Sequence, residues 1–466
     1  MIPMTLREIA RLVGARLHDA PEPETAVTAP SAVDSREVVP GGLFAATAGA
    51  NVDGHDYAAS AVAGGAVAVL AARPVGVPAL VVEDVQAALG QLARHVLGRI
   101  SPTVIGLTGS VGKTTTKDLL AQTLERHDVT VATDRSFNNE LGLPLTVLRA
   151  DAATRYLVLE MGAGRKGDLT YLTGLAPPRI GLVLNVGTAH VERMGTGPAD
   201  VAQVKGELVE ALAPDGFAVL NADDPYVAGM AGRTRAEILW YGRAPDAPVR
   251  AENVRLDGRA RAVFELVTPL GRAPVELGLI GAHQVGNALA AAAVATVAGF
   301  DAAEIAAGLT AARRRAAGRL EIVERPDGVT VVDDAYNANP ASMRAGLRAA
   351  KALAGDRRTV AVLGAMGQQA DASRDRHAEV GRLVADLGFD VLIAVGAGDP
   401  RALAEAAESA DRGVAVHTAE DVAGAITLSA ALLEPGDVVF VKASSEIGLG
   451  ACARALAEAG RPAPTS

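Results

Sequence analysis

The residues most able to do chemistry are Thr108-Gly109-Ser110-Val111-Gly112-Lys113-Thr114-Thr115. They follow a β-prone run, Thr103-Val104-Ile105, and precede an apolar pair, Leu119-Leu120, that reads as an opening helix. Strand, glycine loop and helix start together make a phosphate cradle. The glycines let backbone N–H groups turn inward, and the helix start adds partial positive charge. In such a cradle Lys113 reaches the outer phosphates of a nucleotide and Thr114 holds Mg²⁺. The general pattern spaces its glycines more widely, whereas only Ser110 and Val111 separate Gly109 from Gly112. An ordinary glycine turn is the plainer alternative. The coincidence of Gly-Lys-Thr with the strand-loop-helix context favours the cradle.

Further polar residues fall where the same chemistry could use them. The run Tyr156-Leu157-Val158-Leu159 is a buried strand that ends on Glu160. A carboxylate at the carboxyl end of a parallel strand beside a phosphate loop is placed to hold Mg²⁺, although a surface acid would look the same. The next strand, residues 180–185, leads to Gly187-Thr188-Ala189-His190, which puts His190 on the same sheet edge. Lys205 lies in a helical pattern over residues 201–212, and by itself reads as a solvated lysine on an amphipathic face. Asn287 stands at the start of an Ala-rich helix, 288–298, where a capping role accounts for it. Arg313-Arg314-Arg315 reads as a solvated hinge face.

The elements that position these residues fall into three groups: 1–99, 100–315 and 316–466. The first group is a small α/β unit. It opens with a capped amphipathic helix over residues 5–17, Thr5 being followed by Glu8 as in a capping box. Its clusters Val33-Asp34-Ser35-Arg36 and Asp53-Gly54-His55 suit either a small-molecule site or turns between strands. The central group is the α/β unit around the phosphate loop. From Arg319 onward strands at 330–332, 360–363, 391–395 and 438–441 alternate with Ala-rich helices. That rhythm predicts a doubly wound, Rossmann-like parallel sheet, with Asp333, Asp334, Asn337 and Lys442 on one rim.

Composition narrows the partners. With 466 residues, 49% of them hydrophobic, the chain can fill several cores. A net charge of −10 and 3% aromatic residues argue against a nucleic-acid partner. Cys452 is the sole cysteine, which excludes an internal disulfide framework and suits a reducing compartment. No signal-like start and no long apolar run is present, so a cytoplasmic protein without membrane attachment is expected.

With these residues in view, the chain resembles the Mur ligase family of peptidoglycan synthesis over nearly its whole length. The segments TGSVGKTTT, EMG, NVGTAH, VKGEL and GAHQVGN occur in the family's order. The segment DDAYNANPASM is similar to that of the member adding D-alanyl-D-alanine to UDP-N-acetylmuramoyl-tripeptide. The resemblance implies an ATP-dependent amide-bond ligase, monomeric, with two Mg²⁺ sites. It implies Thr114, Glu160 and His190 as metal ligands, and Lys205 as a lysine carbamylated by CO₂, against the reading from spacing. Asn287 is implied as the adenine contact, with Arg319 and Asp334 (or Asp333) also touching nucleotide. Ser35 and Arg36 match the uridine-nucleotide region. Asn138 and Asn139 match the loop beside the muramoyl peptide, and Asn337, Lys442 and Ser444 match the last domain's substrate contacts. Departures occur at His283-Gln284, at Lys442-Ala443-Ser444-Ser445 and at Gly364-Ala365-Met366-Gly367, where the family often has His-Asn, Lys-Gly-Ser-Arg and an acid after the glycine. They bear on contacts to D-alanyl-D-alanine and leave the reaction type as it stands. Two other readings stay open at this point. One is another ligase of the same superfamily, acting on a different muramoyl peptide or on folate; the other is a nucleotide-binding switch.

Overall fold

The computed structural model describes residues 1–49, 52–187, 191–367 and 372–459. At its centre the β-branched run becomes strand Thr103–Thr108, with Tyr156–Glu160 paired on one side and Ile180–Val183 on the other, all parallel. The chain returns to opposite sides of Thr103–Thr108, so the strand order reverses there and a crevice opens at the carboxyl ends. Thr108, Glu160 and the segment after Val183 therefore share one rim.

The parallel run continues through Phe217–Asn221, Glu237–Gly242 and Val249–Leu256. Two antiparallel strands, Arg261–Thr268 and Gly271–Ile280, then extend the sheet to nine. The expectations above lacked this extension. Its inward residues, among them Phe264, Val275 and Leu277, share a core with helix Gln284–Val297. That helix buries Ala288 through Ala295 without a break, so it is a core helix with no solvent stripe.

In the first region helix Leu6–Val13 is capped by Thr5 in a capping box, as expected. It stops early because Gly14 turns left-handed at φ 67°, and Arg16–His18 joins a four-stranded sheet instead. Asp53-Gly54-His55 is a turn whose polar atoms satisfy one another. His55 Nδ1 lies 2.6 Å from Asp53 Oδ1, and His55 Nε2 accepts from the Ala72 amide at 3.0 Å. Helix Val85–Ile100 packs this region onto the central one, and Leu89, Leu92 and Val96 share a core with Leu157 and Leu172.

The last region is a six-stranded sheet. Five strands are parallel, and Glu321–Glu324 lies antiparallel at the edge. The expected doubly wound sheet is thus present with one strand added at its edge, where a short hairpin from Glu324 to Thr330 leaves no room for a crossover helix. Lys442 ends the strand Val438–Lys442, and its ammonium is buried against Asp334. Nζ donates to Asp334 Oδ2 at 2.5 Å and to the Asn337 carbonyl at 2.8 Å. Asp334 Oδ1 also accepts from the Leu320 amide at 3.1 Å. These bonds set the path of the 334–337 segment. Lys442→Met would strand the Asp334 carboxylate in the interior, and loss of one partner of such a pair costs about 3–5 kcal/mol. Urea unfolding followed by circular dichroism should show a destabilisation of that order.

Candidate active site

The loop after Thr103–Thr108 is built by backbone conformation and by one asparagine. Gly112 has φ 84°, and a Cβ there would lie 2.4 Å from Asn287 Oδ1, so both conformation and space exclude a side chain. Helix Lys113–Leu124 begins immediately after it, and no side chain caps its start. Its first N–H groups are left for an anionic ligand. Asn185 pins the loop from below. Its Oδ1 accepts from the Ser110 and Val111 amides at 3.1 and 2.9 Å, and its Nδ2 donates to the Val111 carbonyl at 3.0 Å. Ser110 Oγ accepts from the Gly187 amide at 2.8 Å. Gly109 packs against Leu184, while Thr108 is fully buried beneath the loop.

Lys113 folds back so that Nζ donates to the Gly109 carbonyl at 2.9 Å. Burial lowers its pKa, Arg319 lowers it further, and Glu160 opposes both. Glu160 is buried at 1% exposure. Asn138 Nδ2 donates to its Oε1 at 2.7 Å, while Oε2 is buried with no hydrogen-bond partner. Thr114 Oγ1 stands 3.2 Å from Ser136 Oγ nearby. A partnerless carboxylate oxygen beside hydroxyls is a set of hard oxygen donors, which fits Mg²⁺. Among the described residues no cluster of three or more His, Cys, Asp or Glu could cage a metal. Mg²⁺ that draws its other ligands from substrate phosphates needs no such cage.

Lys205 overturns the reading from spacing. It is 3% exposed, not solvated, and its pKa falls well below the ordinary lysine value because of burial first and the Lys113 charge second. It is therefore within electrostatic reach of the phosphate loop. His190 lies outside the described residues. A cavity of about 350 Å³ joins the loop, Glu160 and Asn138 to the last region, which contributes Arg319, Tyr336, Asn337 and Ser444. Arg319 stacks over the Tyr336 ring with Cζ 4.3 Å from the centroid, and its buried Nε has no partner. Thr115, Arg319, Asn287, Asp334 and Lys442 also line a second cavity of about 220 Å³ on the far side of Gly112.

Other expected residues sit elsewhere or do something else. Ser35 and Arg36 lie on a 3₁₀ turn, Ser35–Glu37, outside both cavities. Arg36 is exposed and forked onto Asp34, whose pKa it lowers to about 2. Asn139 Oδ1 accepts from the Gly142 amide at 2.9 Å and so shapes a turn. Asn287 is no cap, because the helix begins at Gln284. Its Nδ2 donates to Gln284 Oε1 at 2.8 Å, which holds the amide over Gly112. The run of three arginines is solvated as expected and also engaged: Arg313 and Arg315 are exposed, bonded to the helix-end carbonyls and to Glu125, and Arg314 is half-buried on Glu321. Sequence reasoning missed Lys117. Its buried Nζ donates to the Thr133 and Arg135 carbonyls at 2.6 and 3.3 Å, and so carries Ser136 and Asn138 to the site. Its position on the helix directly after the loop was the available signal.

With this geometry set out, comparison with known proteins is direct. Residues 32–96 match the Mur ligase family catalytic domain, 107–295 the Mur ligase middle domain, and 318–445 the Mur ligase glutamate ligase domain. The UDP-N-acetylmuramoyl-tripeptide--D-alanyl-D-alanine ligase of Mycobacterium tuberculosis (strain ATCC 25618 / H37Rv) is 45% identical, with 98% of each chain covered. The chain belongs to the Mur ligase family. The Escherichia coli K12 ligase of the same name is 34% identical, over 99% of this chain and 100% of that one. Among solved structures, MurF from Acinetobacter baumannii superimposes with a TM-score of 0.84 at 32% identity, covering 98% and 99% of the two chains. MurF ligase from Thermotoga maritima in complex with ADP gives 0.77 at 28% identity, covering 93% and 98%.

One property of this Mur ligase site is open to titration. His283 lines the second cavity as a solvent-exposed residue, and the desolvating protein around its ring lowers its pKa from 6.5 to about 4. Between these values the unfolded chain binds a proton that the folded chain does not. Stability should therefore be full above about pH 6.5 and fall as the pH drops toward 4, by an amount that solvent around the exposed ring keeps small. Denaturant midpoints measured across this window should slope less in His283→Gln than in the unaltered protein.

Proposed function

We propose that the chain is an ATP-dependent ligase that joins D-alanyl-D-alanine to UDP-N-acetylmuramoyl-tripeptide, yielding the pentapeptide precursor of peptidoglycan, ADP and phosphate. The observation that carries the reading is the shared cavity, with the phosphate loop on one wall and the Tyr336-Asn337 segment on the other. The named activity of relatives matched over their full length supports the choice of substrates. Residues 1–99 hold the uridine end through Ser35 and Arg36, 100–315 hold ATP, and 316–466 bring the amine.

A free carboxylate is a poor electrophile because oxide cannot leave. Transfer of the γ-phosphoryl group to it creates an acyl phosphate, whose leaving group is phosphate. Lys113 and the loop amides offset negative charge as the carboxylate approaches the γ-phosphorus, and positioning supplies most of the catalysis. Thr114, Glu160 and His190 would hold Mg²⁺, which supplies Lewis-acid neutralisation of the phosphates. The amine of D-alanyl-D-alanine then attacks the acyl carbon and loses a proton, and phosphate departs. Walls from two regions keep water from the acyl phosphate. Lys205 takes a further role in this reading. Its depressed pKa favours the neutral amine, which adds to CO₂ and loses a proton, leaving a carbamate with one negative charge to serve as a metal ligand.

Phosphate release should require the muramoyl tripeptide and rise on addition of D-alanyl-D-alanine, more than with glycine or glutamate. ATP turnover indifferent to every amine would overturn the ligase reading. Glu160→Gln keeps the contact to Asn138 but removes the charge. It should lower kcat about 10²-fold and raise the Mg²⁺ requirement, with binding of the uridine nucleotide unchanged by calorimetry.

A further inference from the structure

The helical pattern over residues 201–212 is in fact two short helices, Pro198–Lys205 and Glu207–Glu210, interrupted at Gly206. The glycine is not needed for backbone conformation, since φ −66° and ψ −16° are open to any residue. It is needed for space. A Cβ on Gly206 would lie 1.8 Å from Arg233 Nη1 and 2.1 Å from its Cζ. Arg233 comes from the 3₁₀ turn Gly229–Arg233, and its side chain is only 19% exposed. Nη1 donates to the Ala202 carbonyl at 3.0 Å, and Nη2 to the Gln203 carbonyl at 2.9 Å. Nε and Nη2 also donate to Glu210 Oε1, at 3.0 and 2.8 Å. One planar guanidinium thus joins the last carbonyls of the helix that ends on Lys205 to a carboxylate of the next helix. On the far side, Glu207 accepts from the Gly167 amide at 2.8 Å and the Thr170 amide at 3.1 Å, which anchors that end to helix Asp168–Leu175.

We infer that Arg233 is a positioning residue for Lys205, seated in the space that Gly206 leaves open and fixing the helix end that carries the buried amine. Arg233 touches no reacting atom and lines neither cavity of the site. It acts through backbone carbonyls, a task for which a forked, always-charged donor is suited and an ammonium is not. The inference rests on the reading of Lys205 as the carbamylated lysine.

The test compares Arg233→Ala, Gly206→Ala and the double variant in the full-length protein. With ¹³C-labelled bicarbonate, the unaltered protein should give a carbamate resonance that Lys205→Ala removes. Arg233→Ala should weaken that resonance and raise the bicarbonate needed for half-maximal phosphate release roughly tenfold, as loss of a supporting shell does. Gly206→Ala should do the same, because its methyl group evicts the guanidinium. The double variant should be no worse than Arg233→Ala alone, in bicarbonate requirement and in melting temperature. An Arg233→Ala variant that melts lower but keeps the bicarbonate requirement of the unaltered protein would overturn the proposal, and so would additive effects of the two substitutions. Absence of the resonance from the unaltered protein would overturn the carbamate instead. The positioning claim is then judged by kinetics: Arg233→Ala must lower kcat in proportion to Lys205→Ala while leaving KM for the uridine substrate unchanged.

Discussion

The arrangement depends on an unbalanced charge. Lys205 and Arg319 come within electrostatic reach of Lys113 at one sheet rim, where Glu160 is the buried carboxylate that acts on Lys113. Burial raises the cost of every cation left without a counter-charge, and the depressed pKa values of both lysines are the response. A polyanionic ligand relieves the imbalance directly, since phosphate oxygens can take the loop amides, the Lys113 ammonium and the partnerless Arg319 Nε together. The partnerless oxygen of Glu160 is the complementary case, an anion that awaits a cation.

This constraint explains why the site spans two sheets. The central sheet supplies cations and one carboxylate on a fixed rim, but Arg319 and Tyr336 come from the neighbouring unit. Their segment needs its own support, and the buried Lys442–Asp334 pair supplies it by tying Asn337 and Leu320 to a strand end. Such a pair adds little net stability over apolar packing of the same volume. Its contribution is positional: it fixes where the last region's loop faces the phosphate loop. Lys442 was expected at substrate, and the structure instead gives its ammonium to the loop that substrate would meet.

Legibility followed how local each signal was. The phosphate loop, the strand ending on Glu160 and the parallel rhythm after Arg319 depend on neighbours in sequence, so residue order sufficed to read them. Lys205 and Asn287 could not be placed from order alone. The pKa of Lys205 depends on its burial and on the charge of Lys113, and the helix end that carries it is bonded by Arg233, all of them far apart along the chain. The antiparallel extension was missed for a different reason. Val249–Leu256, Arg261–Thr268 and Gly271–Ile280 carry the alternating pattern of strands, with Asp257-Gly258 at one turn, but hold no chemistry-bearing motif and so received no assignment. Lys117 and Asn185 also escaped notice, because a residue that shapes a loop through backbone atoms leaves no mark of its type on the chemistry.

The departures from the family's usual residues can be weighed in the same physical terms. Gln284 uses its longer side chain to accept from Asn287, which keeps that amide over Gly112. Where an acid is common after Gly364, the Met366 amide instead donates to His377 Nε2 at 2.9 Å, and His377 Nδ1 lies 2.7 Å from the Ser373 carbonyl. The histidine is wholly buried and spends both ring nitrogens on backbone, so it braces a loop and leaves no atom for substrate. Ser444 closes the same corner against Gly367. The departures around Met366 and Ser444 change how the last region's wall is held together, whereas Gln284 belongs to the central region and acts on the phosphate loop through Asn287. The corner around His377 and Ser444 and the rim around the phosphate loop are thus held by separate layers of packing. A change at Met366 or Ser444 is therefore confined to that corner, whereas a change at Gln284 reaches Gly112 through Asn287.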